Sequence, residues 1–191
     1  MRRRARCLHH LVALPLLAAG CRKQPPAAPV DEGCFGARCV EEAEAALYYG
    51  DPASAREPLA IVCDGGDAFA CFRLAELHHY GRGGPVDVPR AAQLYEQSCT
   101  VDAGEGCERR AELARDGHGG PAVELDFALR ACEAQRPLAC TRAGEQLAVG
   151  RGVEGDPTRA TTLYEKACRM GEVTGCFFFS DPATTEIYTP E

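Results

Sequence analysis

Four pairs of cysteines recur along the chain with one internal offset of eight: Cys63 and Cys71, Cys99 and Cys107, Cys132 and Cys140, Cys168 and Cys176. Successive pairs follow at intervals of 36, 33 and 36 residues. A fixed period of this size marks a repeat array, whose units are each too small to bury their own apolar face and so bury it on their neighbours. Cys39 extends the register toward the N-terminus, and its partner on this reading is Cys34.

The residues between the cysteines read as helices. "RAAQLYEQSC" (90–99) matches "RATTLYEKAC" (159–168), and "FALRAC" (127–132) repeats its end. Ala91, Leu94, Tyr95 and Ser98 fall at i, i+3, i+4 and i+7, as do Ala160, Leu163, Tyr164 and Ala167, which is an apolar stripe at helical period. Segments after the second cysteine carry Leu74, Ala75, Leu77 and His78 in one unit, and Ala143, Gly144 and Leu147 in another. Breakers divide the helices: "GRGGPVDVP" (81–89), "GHGGPA" (117–122) and "GRGVEGDP" (150–157). The expected unit is helix, glycine turn, helix, cysteine-bearing turn. Four such pairs and a final half-unit from about Glu172 occupy residues 34–179, with "FFF" at 177–179 either buried on the previous pair or left as an open end.

Eight residues let one cysteine close a helix while the other opens the next, near enough for a disulfide. The expected bridges are Cys34–Cys39, Cys63–Cys71, Cys99–Cys107, Cys132–Cys140 and Cys168–Cys176. Each restricts the unfolded chain by about 2.5 kcal/mol in the loop-entropy account. The competing use of cysteine is zinc, which favours close C-x2-C pairs or mixed Cys and His sets; the seven-residue gaps suit it poorly. No metal and no other cofactor is expected.

The N-terminus supports an oxidising destination. Arg2, Arg3, Arg4 and Arg6 precede an apolar stretch from Leu11 to Ala19, broken by Pro15 and too short to span a bilayer. Residues 1–20 therefore read as an export signal. "LLAAGC" resembles a bacterial lipobox, with Ala18 where leucine is more usual, and implies lipid attachment at Cys21. Residues 21–33, which hold "RKQPPAAPVDEG", read as an extended tether, and residues 180–191 as a C-terminal tail. The formal charge of −7 becomes more negative once the signal's arginines leave. Such a field repels phosphates and anionic headgroups, so nucleic acid is excluded as a partner and the membrane is reached through the lipid alone.

"CFRLAELHHYGRGGPVDVPRAAQLYEQSC" and "CTRAGEQLAVGRGVEGDPTRATTLYEKAC" resemble Sel-one-like repeats, relatives of tetratricopeptide repeats. The cysteine pair eight apart is similar to that of a cysteine-rich, secreted bacterial subgroup. The third unit, 107–132, is short and lacks the aromatic that Tyr95 and Tyr164 supply, and the first has Pro58 inside its second helix. The resemblance implies an all-α superhelical solenoid whose concave face, lined by the first helix of each pair, binds proteins or peptides as an adaptor. It also implies an alternative, because some cysteine-rich relatives carry labels as β-lactam or cell-wall hydrolases. The S-x-x-K arrangement of that chemistry is absent: the serines read "SARE" (54), "SCTV" (98) and "SDPA" (180). No phosphate-binding glycine loop and no Ser, His and Asp arrangement stands out either, so no catalysis is expected.

Five residues past each second cysteine stands a carboxylate: Glu44, Glu76, Glu112, Glu145 and Asp181. By analogy with the related repeats these face the concave side, forming an acidic column for a basic peptide or a Lys/Arg-bearing surface. The bland alternative is a solvated helix face. Phe72, His79 and Tyr80 are the neighbouring aromatic candidates, with Phe69 weaker, and His78 and His79 diverge too far on a helix to share a metal. The expected location is the bacterial cell envelope, facing the periplasm or exterior.

Overall fold

Aspartate and proline set where helices begin. Asp51, Asp67, Asp87 and Asp156 each accept a hydrogen bond from the backbone N–H three residues on, at 2.8 to 3.3 Å. Such caps satisfy a donor the helix itself leaves unpaired. Pro52, Pro89, Pro121, Pro137 and Pro157 sit in first turns, where a missing N–H is no loss. Glycine ends several helices, as at Gly150, whose φ of +65° and N–H to the Gln146 carbonyl close α7.

A computed structural model describes residues 37–100 and 104–180. Nine helices occur among the described residues: α1 (Ala37–Tyr48), α2 (Pro52–Asp64), α3 (Ala68–His79), α4 (Val88–Gln97), α5 (Gly104–Arg115), α6 (Pro121–Glu133), α7 (Pro137–Val149), α8 (Pro157–Arg169) and α9 (Val173–Ser180). Each packs on the next in sequence. The all-α solenoid of stacked helical pairs is thus observed, built as α1/α2, α3/α4, α5/α6 and α7/α8 with α9 as a half-unit. Pro58 does not break α2, which runs through it with Leu59 and Cys63 buried beyond. The third unit has Ala128 where the others have the aromatic, and buries Phe127 one position earlier in α6.

The even-numbered helices bury one register. Counted from the residue before the first turn, Ala91, Leu94 and Tyr95 of α4 stand at +4, +7 and +8, as do Ala160, Leu163 and Tyr164 of α8, and all six are buried. The odd helices answer with small residues. Ala75 and Gly144 occupy one position in α3 and α7, and a Cβ on Gly144 would stand 2.6 Å from the Tyr164 ring. Leu74, Leu77, Leu94 and Tyr95 share the N-terminal core, while Ala143, Leu147, Leu163 and Tyr164 share the C-terminal one.

Disulfides join each even helix to the odd helix after it: Cys63–Cys71, Cys99–Cys107, Cys132–Cys140 and Cys168–Cys176, with Cα atoms 4.4 to 4.6 Å apart. That approach leaves no room for bulk beside the second cysteine. Ala70, Gly106, Ala139 and Gly175 stand immediately before it. A Cβ on Gly106 would fall 2.0 Å from Ser98 Oγ, and one on Gly175 would fall 2.6 Å from the Ala167 methyl. Cys39 is also disulfide-bonded, to a partner outside the described residues. Cys34 and Cys21, the signal, the tether and positions 181–191 lie outside the described residues as well.

Replacing Cys132 and Cys140 together by serine is expected to lower stability by about 2.5 kcal/mol, the entropy released to the unfolded chain. Guanidinium denaturation of the oxidised variant and wild type measures the difference.

Candidate functional site

The site rests on one register shared by α3, α5 and α7. Two residues past the second cysteine each helix carries an arginine, Arg73, Arg109 and Arg142, and three residues further a glutamate, Glu76, Glu112 and Glu145. Residues three apart on a helix are neighbours, and two of the pairs close: Arg73 Nη1 lies 2.8 Å from Glu76 Oε2, and Arg109 Nη1 lies 2.9 Å from Glu112 Oε2. Arg142 reaches back across the repeat boundary, its Nη1 2.9 Å from the other oxygen of Glu112. Arg136, just before α7, donates to Glu108 Oε2 on α5 at 2.7 and 2.9 Å and stands 3.7 Å from Glu105. Arginine and glutamate therefore alternate across three stacked repeats.

This arrangement sets arginines beside two members of the expected acidic column. Glu76 and Glu112 are engaged by guanidinium groups, so two of the five carboxylates offer little uncompensated charge. Glu145 is half-buried, Glu44 stands exposed on α1, and Asp181 lies outside the described residues. The arginines were missed although R-x-x-E stands in the sequence three times at one register: counting carboxylates alone left their neighbours unread.

Burial pushes the Glu112 carboxyl up, but the hydrogen bonds from Arg142 and Arg109 outweigh it and hold Glu112 below the ordinary carboxylate value. Glu145 goes the other way: burial raises it, against the pull of Arg151 and Arg142. His79 is lowered by burial, with the positive charge of Arg109 adding to the effect.

The aromatic candidates divide. Phe72 and His79 are half-buried and pack around the buried Tyr95, with ring centroids 5.7 and 5.9 Å away, and His79 Nδ1 lies 3.3 Å from the Tyr95 hydroxyl. Tyr80 stacks on His79 at 4.5 Å yet remains half exposed. Phe69, the weaker candidate, is 55% exposed and lines a groove of about 510 Å³ between α3 and α5 together with Phe72, Arg73, Glu76, Arg109 and Glu112.

Apolar groups border the charged rows on both sides. Two residues before the second cysteine stand Phe69 in α3 and Leu138 in α7; nine after it stand Tyr80 and Val149. All four are exposed large hydrophobic residues. On α5 the same two positions hold Glu105 and Asp116, so the face presents paired charges with apolar groups at both ends of α3 and α7, which suits a polypeptide segment. Among the described residues no cluster of three or more His, Cys, Asp or Glu could hold a metal ion, and no helix is long and apolar enough to cross a membrane.

Residues 68–100 and 137–172 match the Sel1 repeat family. Over 134 residues the chain is 28% identical to cytochrome c oxidase assembly factor 7A of Xenopus laevis, and equally to cytochrome c oxidase assembly factor 7 of Xenopus tropicalis. Those alignments take in 64% of this chain but only 58% of either relative. Among solved structures, a Sel1 repeat protein from Oxalobacter formigenes superposes with a TM-score of 0.67 at 19% identity, covering 80% of this chain and 68% of that one. A protective antigen of uropathogenic Escherichia coli displaying an SLR fold superposes at 0.64 with 21% identity, covering 74% of this chain and 32% of that one. These likenesses carry the fold.

Because the folded-state pKa of Glu112 lies below its unfolded value of 4.5, its contribution to stability is complete above that pH and fades as pH falls through the folded value. Glu112→Gln should therefore cost about 1 kcal/mol at pH 7 and progressively less below pH 4.5. Urea denaturation across that range checks it.

Proposed function

We propose that this chain, a Sel1-like repeat protein, holds a segment of another protein across the face shared by α3, α5 and α7. The arginine and glutamate ladder, with apolar groups at both ends of α3 and α7, supports this reading best. A segment seated there sets apolar side chains against Phe69 and Leu138 on one side and Tyr80 and Val149 on the other. Its polar groups meet Arg73, Arg109 and Arg142 in one row and Glu76, Glu112 and Glu145 in the next. The preferred segment carries both signs of charge, since a purely basic one would have to displace arginines from Glu76 and Glu112.

The activity is binding. Assembly is the role named for the Xenopus relatives, and an adaptor that holds a partner during assembly is consistent with a face of this kind; fold likeness alone does not carry the role over. The four disulfides between described cysteines, with Cys39 bonded as well, suit an oxidising compartment, and the "LLAAGC" stretch with Cys21 supports export and lipid anchoring in a bacterial envelope. Loss of acyl-chain labelling in Cys21→Ala, with retention in wild type, tests the anchor.

Panning a displayed library of random dodecapeptides against the purified protein tests the site. Enriched sequences should pair an aromatic or large aliphatic residue with charges of both signs. Phe69→Ala and Arg109→Glu should each weaken them about tenfold, the scale of one interface anchor. Binding that both variants leave unchanged would remove this face from consideration. Nitrocefin turnover at the buffer rate is the expected result for the β-lactam alternative.

A further inference from the structure

One rung of the ladder is open. Glu76 holds Arg73 at 2.8 Å, Glu108 takes two bonds from Arg136, and Glu112 is shared by Arg109 and Arg142. Glu145 stands at the register of Glu76 and Glu112, yet among the described residues it closes no ion pair. Its own helix sends Arg142 back to Glu112, and Arg151, the first cation past α7, goes to Glu124 at 3.5 Å. The next repeat sends no guanidinium from the matching position. Two past the bridging cysteine, where α3, α5 and α7 carry Arg73, Arg109 and Arg142, α9 carries Phe178. The Phe178 ring packs on Tyr164 with centroids 5.1 Å apart, so that side chain serves the core and leaves Glu145 without the cross-repeat partner that Glu112 has.

Glu145 also differs from a solvated surface carboxylate. It is half-buried, and burial lifts its carboxyl above the ordinary value; Arg151 and Arg142 pull it down, Glu172 pushes it up, and Arg115 pulls it down. Folding has therefore removed part of its water without giving it a donor, and a charge already desolvated loses less when a cation arrives. Its neighbours suit a long basic side chain. Leu138, Arg142, Glu145 and Val149 stand at i, i+4, i+7 and i+11 of α7, one stripe of the helix. Val149, one turn beyond Glu145, is 76% exposed. A lysine or arginine can lay its aliphatic stem along Val149 and set its charged head on Glu145. The other carboxylates on these helices offer less: Glu105 is exposed and already 3.7 Å from Arg136, and Glu44 is exposed on α1.

We propose that Glu145 is a specificity-determining residue of the segment-binding face and takes a lysine or arginine side chain of the bound segment, the cation that its own array withholds. The inference rests on that face as the binding surface and fixes where the segment's positive charge lies, over α7. Glu76 and Glu112, already engaged by arginines, do not compete for it.

Displayed dodecapeptides panned against the wild-type protein should share a lysine or arginine at one position. For such a peptide, Glu145→Gln should weaken binding about tenfold, the scale of one charge-assisted hydrogen bond. Norleucine in place of the peptide's basic residue should do the same, and this change leaves the fold of the protein untouched. The two changes together should cost no more than either alone, which marks a direct pair. Panning against Glu145→Lys should exchange the basic residue for Asp or Glu. Unchanged affinity in Glu145→Gln, additive losses in the combined test, or the same basic residue enriched against Glu145→Lys would each overturn the assignment, while losses in Phe69→Ala and Arg109→Glu would leave the face itself standing. Peptides indifferent to Phe69, Arg109 and Glu145 alike would remove the face and the assignment together.

Discussion

Each pair of adjoining repeats depends on a disulfide that draws two helix ends to a Cα separation near 4.5 Å. That distance dictates the neighbouring sequence. Gly106 and Gly175 precede the second cysteine where a Cβ would meet Ser98 or Ala167, and Ala70 and Ala139 hold the same position in the other two repeats. Once a helix is pinned at its first turn, its rotation about its axis is limited, and the same residues face the same way in every repeat. The ladder of Arg73–Glu76, Arg109–Glu112 and Arg142 follows from that fixed register, since the second and fifth residues past the bridge must fall on one side.

A small repeat gains little from hydrophobic burial alone. The covalent links reduce the entropy of the unfolded chain, and the caps at Asp51, Asp67, Asp87 and Asp156 settle where each helix starts, so local and long-range preferences agree. The odd helices can then give one side to the core through small residues such as Ala75, Ala143 and Gly144. The other side is free to carry charge. Exposed Phe69, Leu138, Tyr80 and Val149 beside paired ions are not required by packing, and for that reason they are informative about binding.

Charge on this face is organised in pairs. An uncompensated row of partly buried carboxylates would raise its own pKa values and repel itself. Glu112 avoids this with two arginines, one from its own helix and one from the next repeat, which ties electrostatics to the stacking itself. Glu145 shows the contrast: burial lifts its pKa against the pull of Arg151 and Arg142.

The period, the helical stripes, the cysteine offset and the glycine and proline punctuation are local regularities. They determined the all-α solenoid and the four bridges at the offset of eight by themselves, because a spacing repeated at one register leaves few packings. Pro58 and the shortened third unit looked like weak points, yet α2 continues through the proline and the third unit buries Phe127 one position earlier, under Arg110 and Arg130. The same holds for the site. A carboxylate at each fifth position was legible, but the arginines that neutralise Glu76 and Glu112 were overlooked, and the pairing of Arg142 with Glu112 exists only because two repeats stack at a particular distance. Sequence order fixes which residues share a helix face; the packed structure alone decides which charges meet across a boundary and which aromatic side chains, Phe69 rather than Phe72, stand open to solvent.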